Sequence, residues 1–163
     1  MSVPAEHRMR LFHGTGAEEA KFILGAGFDF RPEAERRRDP GDFGWGVYLT
    51  NDLARAREMG EVVLVVVIDK RRFAHIPNPY FLRLGHEVEP MTDLEKLFHE
   101  IAFEGSEMLT CASTTPWERR VIVAQTLQRE FLARGYVGII TETPDKETVM
   151  FSGKGVVYLG ELV

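Results

Sequence analysis

The sequence predicts an α+β fold in a single domain that spans residues 1–163, with a mostly antiparallel, split β-sheet. Strand-like segments cluster at both ends of the chain, and helix-like segments lie between them. The composition, 44% hydrophobic and 28% charged, is typical of one globular domain. A chain of this length can bury a core without needing a disulfide or a metal ion.

The N-terminal part begins with a short strand over residues 9–12 that ends at His13. Thr15 and Glu18 have the spacing of a capping box, which predicts that a helix begins there. The apolar stripe of that helix consists of Ala17, Ala20, Ile23 and Leu24.

Residues 45–50 alternate in the manner of a half-buried strand. The alternation places Trp45, Val47 and Leu49 on one face. Tyr48 and Thr50 fall on the other. Asn51 is predicted to cap the next helix, which runs to about Gly60. The valine-rich run over residues 62–68 does not alternate, which predicts a central strand buried on both faces.

The second half of the chain contains two further capping boxes. After an irregular stretch over residues 70–90, Thr92 and Glu95 predict a helix that runs to about residue 104. Thr115 and Glu118 predict another, with Pro116 as its first residue. That helix ends at Gly135, and one of its faces carries Trp117, Val121, Ala124, Leu127 and Phe131. Three short strands follow, over residues 137–141, 148–151 and 156–162.

Composition excludes several classes of site. Cys111 is the only cysteine, so neither an intramolecular disulfide nor a multi-cysteine zinc site can form. His7, His75, His86 and His99 lack metal-ligand spacing, and no metal is predicted. The sequence contains no Walker-type loop, no GxGxxG and no nucleophile-elbow serine.

Charge and hydropathy restrict the location and the partners. The net charge of −5 argues against general electrostatic binding of nucleic acid, and the basic run Arg36 to Arg38 is interpreted as a solvated loop. The N-terminus has no apolar core of signal-peptide length, and the longest apolar run is too short for a membrane span. We therefore expect a cytoplasmic protein with no membrane partner.

Five segments carry a family resemblance: LFHGT (11–15), ILGAGF (23–28), FGWGVYLT (43–50), ETVMF (147–151) and VVYL (156–159). In order and spacing they resemble the ADP-ribosyltransferase superfamily, in its His-Tyr-Glu branch of poly(ADP-ribose) polymerases and diphtheria-type toxins. Each motif is weak alone, and their joint occurrence carries the resemblance. Residues 61–135 match nothing in the family pattern. The resemblance implies an ADP-ribosyltransferase-like fold with a cleft that binds NAD as co-substrate.

The resemblance also implies the catalytic set Glu147, His13 and Tyr48. Cleaving the bond between nicotinamide and ribose passes through an oxocarbenium-like state, which the carboxylate of Glu147 would stabilise. Glu142 and Asp145 are rival carboxylates, but neither precedes an apolar strand.

The NAD-binding residues that the resemblance implies are His13, Gly14, Thr15, Gly46, Tyr48 and Thr50. His13 would bind the adenine-side ribose, and Tyr48 would lay its ring on the nicotinamide. Gly14 would let the backbone approach the carboxamide, while Gly44 and Gly46 would keep the approach free of side chains.

The pattern departs from the family at two positions. Polymerase-like members have a serine and a second stacking tyrosine after the central motif, and these fall near Ala56 and Met59 here. The nicotinamide pocket is therefore less complete than the family pattern requires.

The function that we expect is mono-ADP-ribosyl transfer to a macromolecular acceptor, protein or nucleic acid, by a toxin or a modification enzyme. A toxin would imply an antitoxin or immunity partner. The alternatives are an NAD glycohydrolase, an RNA 2′-phosphotransferase on a related fold, and a catalytically silent module that binds NAD or ADP-ribose. The acidic charge and Glu147 argue against the phosphotransferase.

Overall fold

The computed structural model describes residues 2–30, 41–84, 86, 88, 90–105, 115–143 and 147–163. Within these ranges, seven strands form one sheet and the fold is α+β, as predicted. The strands are β1 (Arg8–Thr15), β2 (Val47–Thr50), β3 (Val62–Asp69), β4 (Ala74–His75), β5 (Gly138–Ile140), β6 (Glu147–Met150) and β7 (Val156–Glu161). The helices are α1 (Ala17–Ala26), α2 (Leu53–Met59), α3 (Pro79–Arg83), α4 (Asp93–His99) and α5 (Pro116–Ala133), and the π-helical segment Glu100–Glu104 continues α4. Arg36 to Arg38, Cys111 and Asp145 lie outside the described residues.

The sheet is mixed, whereas the sequence predicts a mostly antiparallel one: one pair of neighbouring strands is parallel. Its strand order is β4-β5-β6-β2-β1-β3-β7. β4 runs parallel to β5, pairing Ala74 with Ile139. Every other pair of neighbouring strands in this order is antiparallel. The sequence predicts no regular element over residues 70–90, where β4 lies. A two-residue strand is too short to show any periodicity, so its pairing is decided by tertiary contacts.

Strand β1 is longer than predicted and joins the two sides of the sheet. It pairs with β3 along its whole length, from Arg8 with Asp69 to Thr15 with Val62. With β2 it has one registered pair, Phe12 with Thr50. Beside His13, β1 and β2 therefore share no registered pair. The candidate site lies at this position.

This longer strand overturns the predicted cap of α1. Thr15 is held in the ladder with β3, so the helix begins after Gly16, which makes no side-chain cap. The carboxylate of Glu61 takes over part of that role by accepting from the N–H of Ala17 at 3.1 Å.

The other predicted helix starts agree better with the structure. Thr92 and Glu95 form a complete capping box, and Thr115 accepts from the N–H of Glu118. Helix α2 is capped by Asp52 instead of Asn51, because the Asp52 carboxylate accepts from the N–H of Ala54 and that of Arg55.

Two apolar clusters cover opposite faces of the sheet. Successive residues of one strand alternate between them: Ile139 and Val149 belong to the first cluster, Ile140 and Met150 to the second. The first cluster contains helix residues of α3 to α5, including Leu82, Phe98, Leu127 and Phe131. Trp117 does not join it. Its side chain, in the first turn of α5, is 51% exposed, which contradicts the predicted face of that helix.

Strand β2 alternates as predicted: Val47 and Leu49 lie in the second cluster, whereas Tyr48 packs against the first.

We expect Leu49→Ala to lower the free energy of unfolding by about 2–5 kcal/mol, since it removes a buried side chain from a close-packed core. Leu84→Ala, at an exposed leucine, is the control and should change it by less than about 0.5 kcal/mol. Urea unfolding of both variants measures this, and equal effects would contradict the assigned faces.

Candidate functional site

Residues from four separate segments of the chain meet at one cavity, which we call the glutamate cavity. Its volume is about 120 Å³, and its walls come from β1, β2, α2 and the start of β6. It is lined by Phe12, His13, Gly14, Tyr48, Leu49, Thr50, Arg55, Ala56, Met59 and Glu147. The predicted catalytic residues His13, Tyr48 and Glu147 therefore lie at the same cavity.

The strand register explains how Glu147 reaches this cavity. Thr50, the last residue of β2, is paired with Glu147 on one side and with Phe12 on the other. Directly paired residues point to the same face of a sheet, so these three side chains form a row across β6, β2 and β1. Glu142 is exposed and does not line the cavity.

Two buried threonines hold the backbone of Glu147. The hydroxyl of Thr141 donates to the Glu147 carbonyl at 2.5 Å, and the Thr141 N–H donates to the same oxygen at 3.2 Å. The Glu147 N–H donates to the hydroxyl of Thr143 at 3.5 Å. Sequence reasoning did not identify these threonines. Their signal was the polar Thr-Glu-Thr segment directly after β5, whose hydroxyls can bond nearby backbone groups.

The imidazole ring of His13 connects β1 to β2 at a position where the two strands share no registered pair. Its Nδ1 lies 3.0 Å from the carbonyl oxygen of Tyr48. A carbonyl can only accept, so Nδ1 carries the hydrogen, and in the neutral ring Nε2 is then an acceptor. Phe28 contacts the ring edge-on, with centroids 5.3 Å apart. Both contacts fix the orientation of the imidazole.

Tyr48 is anchored by its hydroxyl. The hydroxyl oxygen accepts from the N–H of Phe43, and the O–H donates to the carbonyl of Gly44, both at 2.8 Å. The rings of Phe43 and Tyr48 also lie 6.4 Å apart within the first cluster. The tyrosine ring is therefore a rigid wall of the cavity.

At Gly14 and at Gly46, the atoms that come closest to the glycine belong to another backbone segment of this chain. A Cβ at Gly14 would lie 1.9 Å from the backbone oxygen of Ala56, so helix α2 lies directly on β1 at this point. A Cβ at Gly46 would lie 2.3 Å from the backbone oxygen of Met150 in β6. Both glycines therefore determine how closely the cavity walls come together.

Helix α2 brings Ala56 and Met59 to the cavity, the two positions that depart from the family pattern. Ala56 is fully buried, and Met59 is 61% exposed. Arg55, which sequence reasoning did not single out, lies beside them and forms a 3.5 Å ion pair with Glu58. Positions 55, 56 and 59 share one side of a helix, and that spacing was the available signal.

A second cavity of about 250 Å³ adjoins the first, and we call it the aromatic cavity. His13 and Tyr48 line both cavities, so their side chains separate them. The remaining lining residues are Thr15, Glu19, Phe22, Ile23, Phe28, Asp29, Gly46 and Val47. Thr15 and Gly46 thus lie here, whereas Gly14 and Thr50 lie at the glutamate cavity.

The described residues lack two features, a metal-binding cluster and a membrane-spanning helix. In that part of the chain, no group of three or more His, Cys, Asp or Glu side chains is arranged to hold a metal ion. None of the helices there has both the length and the apolarity that crossing a membrane requires.

No protein-family model matches the chain, and no curated protein matches it. A solved structure described as "Crystal structure of an anti-CRISPR protein" is similar over 95% of this chain and 96% of its own, with 19% sequence identity and a TM-score of 0.41. A similarity at that score indicates no function for this chain.

We expect Gly14→Ala to be destabilising by about 1–3 kcal/mol, because the added methyl group must push α2 away from β1. Gly25→Ala is the matched control: it lies in α1 with open space around it, where alanine stabilises a helix by about 0.5–1 kcal/mol. Thermal unfolding followed by circular dichroism measures both variants. A Gly14→Ala protein as stable as the wild type would contradict the contact between α2 and β1.

Proposed function

We propose that this chain is an NAD-dependent mono-ADP-ribosyltransferase that releases nicotinamide and transfers ADP-ribose to a macromolecular acceptor. The observation that supports it best is the meeting of His13, Tyr48 and Glu147 at one cavity, although they are distant in sequence. These residues are the set that the family resemblance implies.

In this proposal, Glu147 supplies the negative charge at the reacting ribose. Its carboxylate would accept from a ribose hydroxyl and stabilise the positive charge that develops as the bond to nicotinamide breaks. The hydrogen bonds from Thr141 and to Thr143 support this role, because they fix the backbone from which the carboxylate extends.

His13 and Tyr48 position the substrate. Tyr48, held through Phe43 and Gly44, would present a fixed ring to the nicotinamide. His13 would accept from a hydroxyl of the adenine-side ribose through Nε2, since Nδ1 is used by the Tyr48 carbonyl. A small, partly apolar cavity around the leaving group would limit the access of water.

The silent binding module is the second candidate, and one observation favours it. Ala56 and Met59 line the glutamate cavity at the positions where polymerase-like members have a serine and a tyrosine. A buried alanine offers no hydroxyl to the nicotinamide carboxamide, and an exposed methionine is a more flexible wall than a tyrosine ring. NAD would then bind without being cleaved.

We expect NAD to raise the melting temperature, because a ligand that binds only the folded state stabilises it by mass action. His13→Ala should weaken NAD binding by about tenfold or more, the equivalent of one good hydrogen bond. Titration calorimetry measures the affinity, and differential scanning fluorimetry measures the shift in melting temperature.

His99→Ala is a matched control for this substitution. Its Nδ1 also lies near a backbone carbonyl, that of Leu82 at 3.1 Å, and its ring stacks on Phe103, but it lies outside both cavities. The two alanine variants should lose similar stability while only His13→Ala loses affinity. No NAD binding by the wild type would refute the assignment of the co-substrate.

We expect Glu147→Gln to retain NAD binding and to slow nicotinamide release by about a hundredfold or more, because it removes the charge and keeps the size. Glu142→Gln, at the exposed carboxylate of the same segment, should be nearly neutral. Chromatography of nicotinamide, with and without cell lysate as a source of acceptor, measures release by both variants and the wild type.

The outcomes of that assay separate the candidate functions. Release that requires lysate supports the transferase, and release without any acceptor supports the NAD glycohydrolase. A wild type no faster than buffer, while NAD still binds, supports the silent module. If Glu142→Gln is inactive and Glu147→Gln is active, the assigned carboxylate is wrong.

A further inference from the structure

Strand β1 places arginine and aromatic side chains together on one face of the sheet. Leu11 belongs to the second cluster, and side chains alternate along a strand. Arg8, Arg10 and Phe12 therefore lie on the opposite face. Both arginines are exposed, and Phe12 is half-buried. We call these three residues, together with Tyr158 of β7, the arginine face.

The strand register places Tyr158 on this face. Arg10 is paired with Val67 of β3, and Val67 is paired with Tyr158. Directly paired residues point to the same face of a sheet. The phenol end of Tyr158 lies over Gly160, where a Cβ would be 2.3 Å from the phenolic oxygen. Because glycine has no side chain, the tyrosine ring can lie along β7, and the residue is 56% exposed.

The two guanidinium groups are held in different ways. That of Arg10 lies over the ring of Phe12, 5.5 Å from its centroid, which is a cation–π contact. A guanidinium that stacks on a ring still presents N–H donors at its edge. Arg8 donates from Nε to the carbonyl of Val3 at 2.6 Å. Its terminal nitrogens extend beyond that bond from an exposed side chain.

A carboxylate also lies on this face, and an arginine binds it. Asp69 is the partner of Arg8 in the ladder of β1 and β3. Its carboxylate accepts from Nε of Arg71 at 3.0 Å and from Nη2 at 2.9 Å. This bidentate pair compensates the negative charge of Asp69, and the Arg71 side chain is itself 51% exposed.

The arginine face is continuous with the glutamate cavity. Phe12 belongs to the row that runs through Thr50 to Glu147, and it lines that cavity. Five neighbouring strands, from β6 to β7, separate Glu147 from Tyr158. At about 4.8 Å between strands, this part of the sheet spans about 19 Å. An extended ligand that lies across it therefore reaches the reacting end of the site.

We infer, on the basis of the function proposed above, that the arginine face binds single-stranded nucleic acid as the acceptor. Unpaired bases stack on exposed aromatic rings and guanidinium planes of a sheet, and arginines bind the phosphates. A duplex keeps its base faces covered and cannot stack in this way. The net charge of −5 opposes long-range attraction, so binding depends on these local contacts.

Transfer to such an acceptor requires no further reagent. An oxygen or nitrogen of the strand bonds to C1′ of the nicotinamide ribose while the bond from C1′ to nicotinamide breaks. Nicotinamide leaves with the electron pair of that bond. A proton on the attacking atom passes to the carboxylate of Glu147 and then to water.

Fluorescence anisotropy without NAD measures binding independently of the proposed activity. The probes are labelled single strands of DNA and RNA of about ten nucleotides, and a duplex of the same length. The wild type should bind the single strands at least about fivefold more tightly than the duplex, the equivalent of one stacked base. Contacts of Arg8 and Arg10 with phosphates should give a slope of about −1.4 for log K against log salt.

Two pairs of variants test the face. Tyr158→Ala should weaken binding of single strands at least about fivefold, whereas Phe81→Ala, also 56% exposed but on α3, should not. Arg10→Gln should make the salt slope less steep by about 0.7. Lys21→Gln removes the same charge from an exposed residue of α1, which packs on Leu64 on the other face, and should leave the slope unchanged. Melting temperatures confirm that the variants fold.

The acceptor is tested by incubation with labelled NAD, a single strand and cell lysate. Label on the strand that Tyr158→Ala reduces supports the inference. Label on lysate protein alone, no binding of single strands, tighter binding of the duplex, or equal losses in the control variants overturns it and leaves the proposed function standing. Binding at the arginine face without nicotinamide release under any condition overturns the proposed function, and the acceptor role with it.

Discussion

The site depends on how strand β1 is held between its two neighbours. β1 is registered with β3 over eight pairs, from Arg8 to Thr15, yet with β2 it shares the one pair of Phe12 and Thr50. Where the ladder with β2 is open, the imidazole of His13 reaches the carbonyl of Tyr48. A side chain thus replaces a backbone contact, and both cavities lie beside it.

Close packing at two glycines then determines the shape of the cavities beside His13. Helix α2 lies on Gly14 so closely that no side chain fits between them, and β6 approaches Gly46 in the same way. The first contact brings Arg55, Ala56 and Met59 to the cavity. The second brings β6, and with it Glu147, beside β2. These glycines are therefore needed for the walls of the cavities, because a side chain at either position would clash with the backbone.

The two cavities differ in the chemistry of their lining. The glutamate cavity combines one carboxylate and one guanidinium with a tyrosine ring held by two hydrogen bonds. The aromatic cavity combines two carboxylates with phenylalanine rings. Rigid aromatic walls with a few polar groups are the usual means by which a binding site fixes orientation. In the function proposed above, Glu147 would meet the nicotinamide ribose at the glutamate cavity.

The sequence by itself determined the helices and strands that are stabilised by interactions between residues close together in the chain. The capping box of Thr92 and Glu95 and the valine run of β3 were predicted correctly, because a cap and a continuous apolar strand are readable within a few residues. The alternation in β2 was also readable, and it correctly assigned Leu49 and Tyr48 to opposite faces of the sheet.

Tertiary contacts decided the rest. The cap expected at Thr15 did not form because β3 holds that residue in its ladder. The parallel pairing of β4 joins residues 74 and 139, which no local pattern connects. The motifs identified His13, Tyr48 and Glu147 as candidates, but a sequence motif does not specify the distances between side chains in space. Their meeting at one cavity, with Arg55, Glu19 and Asp29 nearby, follows from strand register and helix packing across the whole sheet.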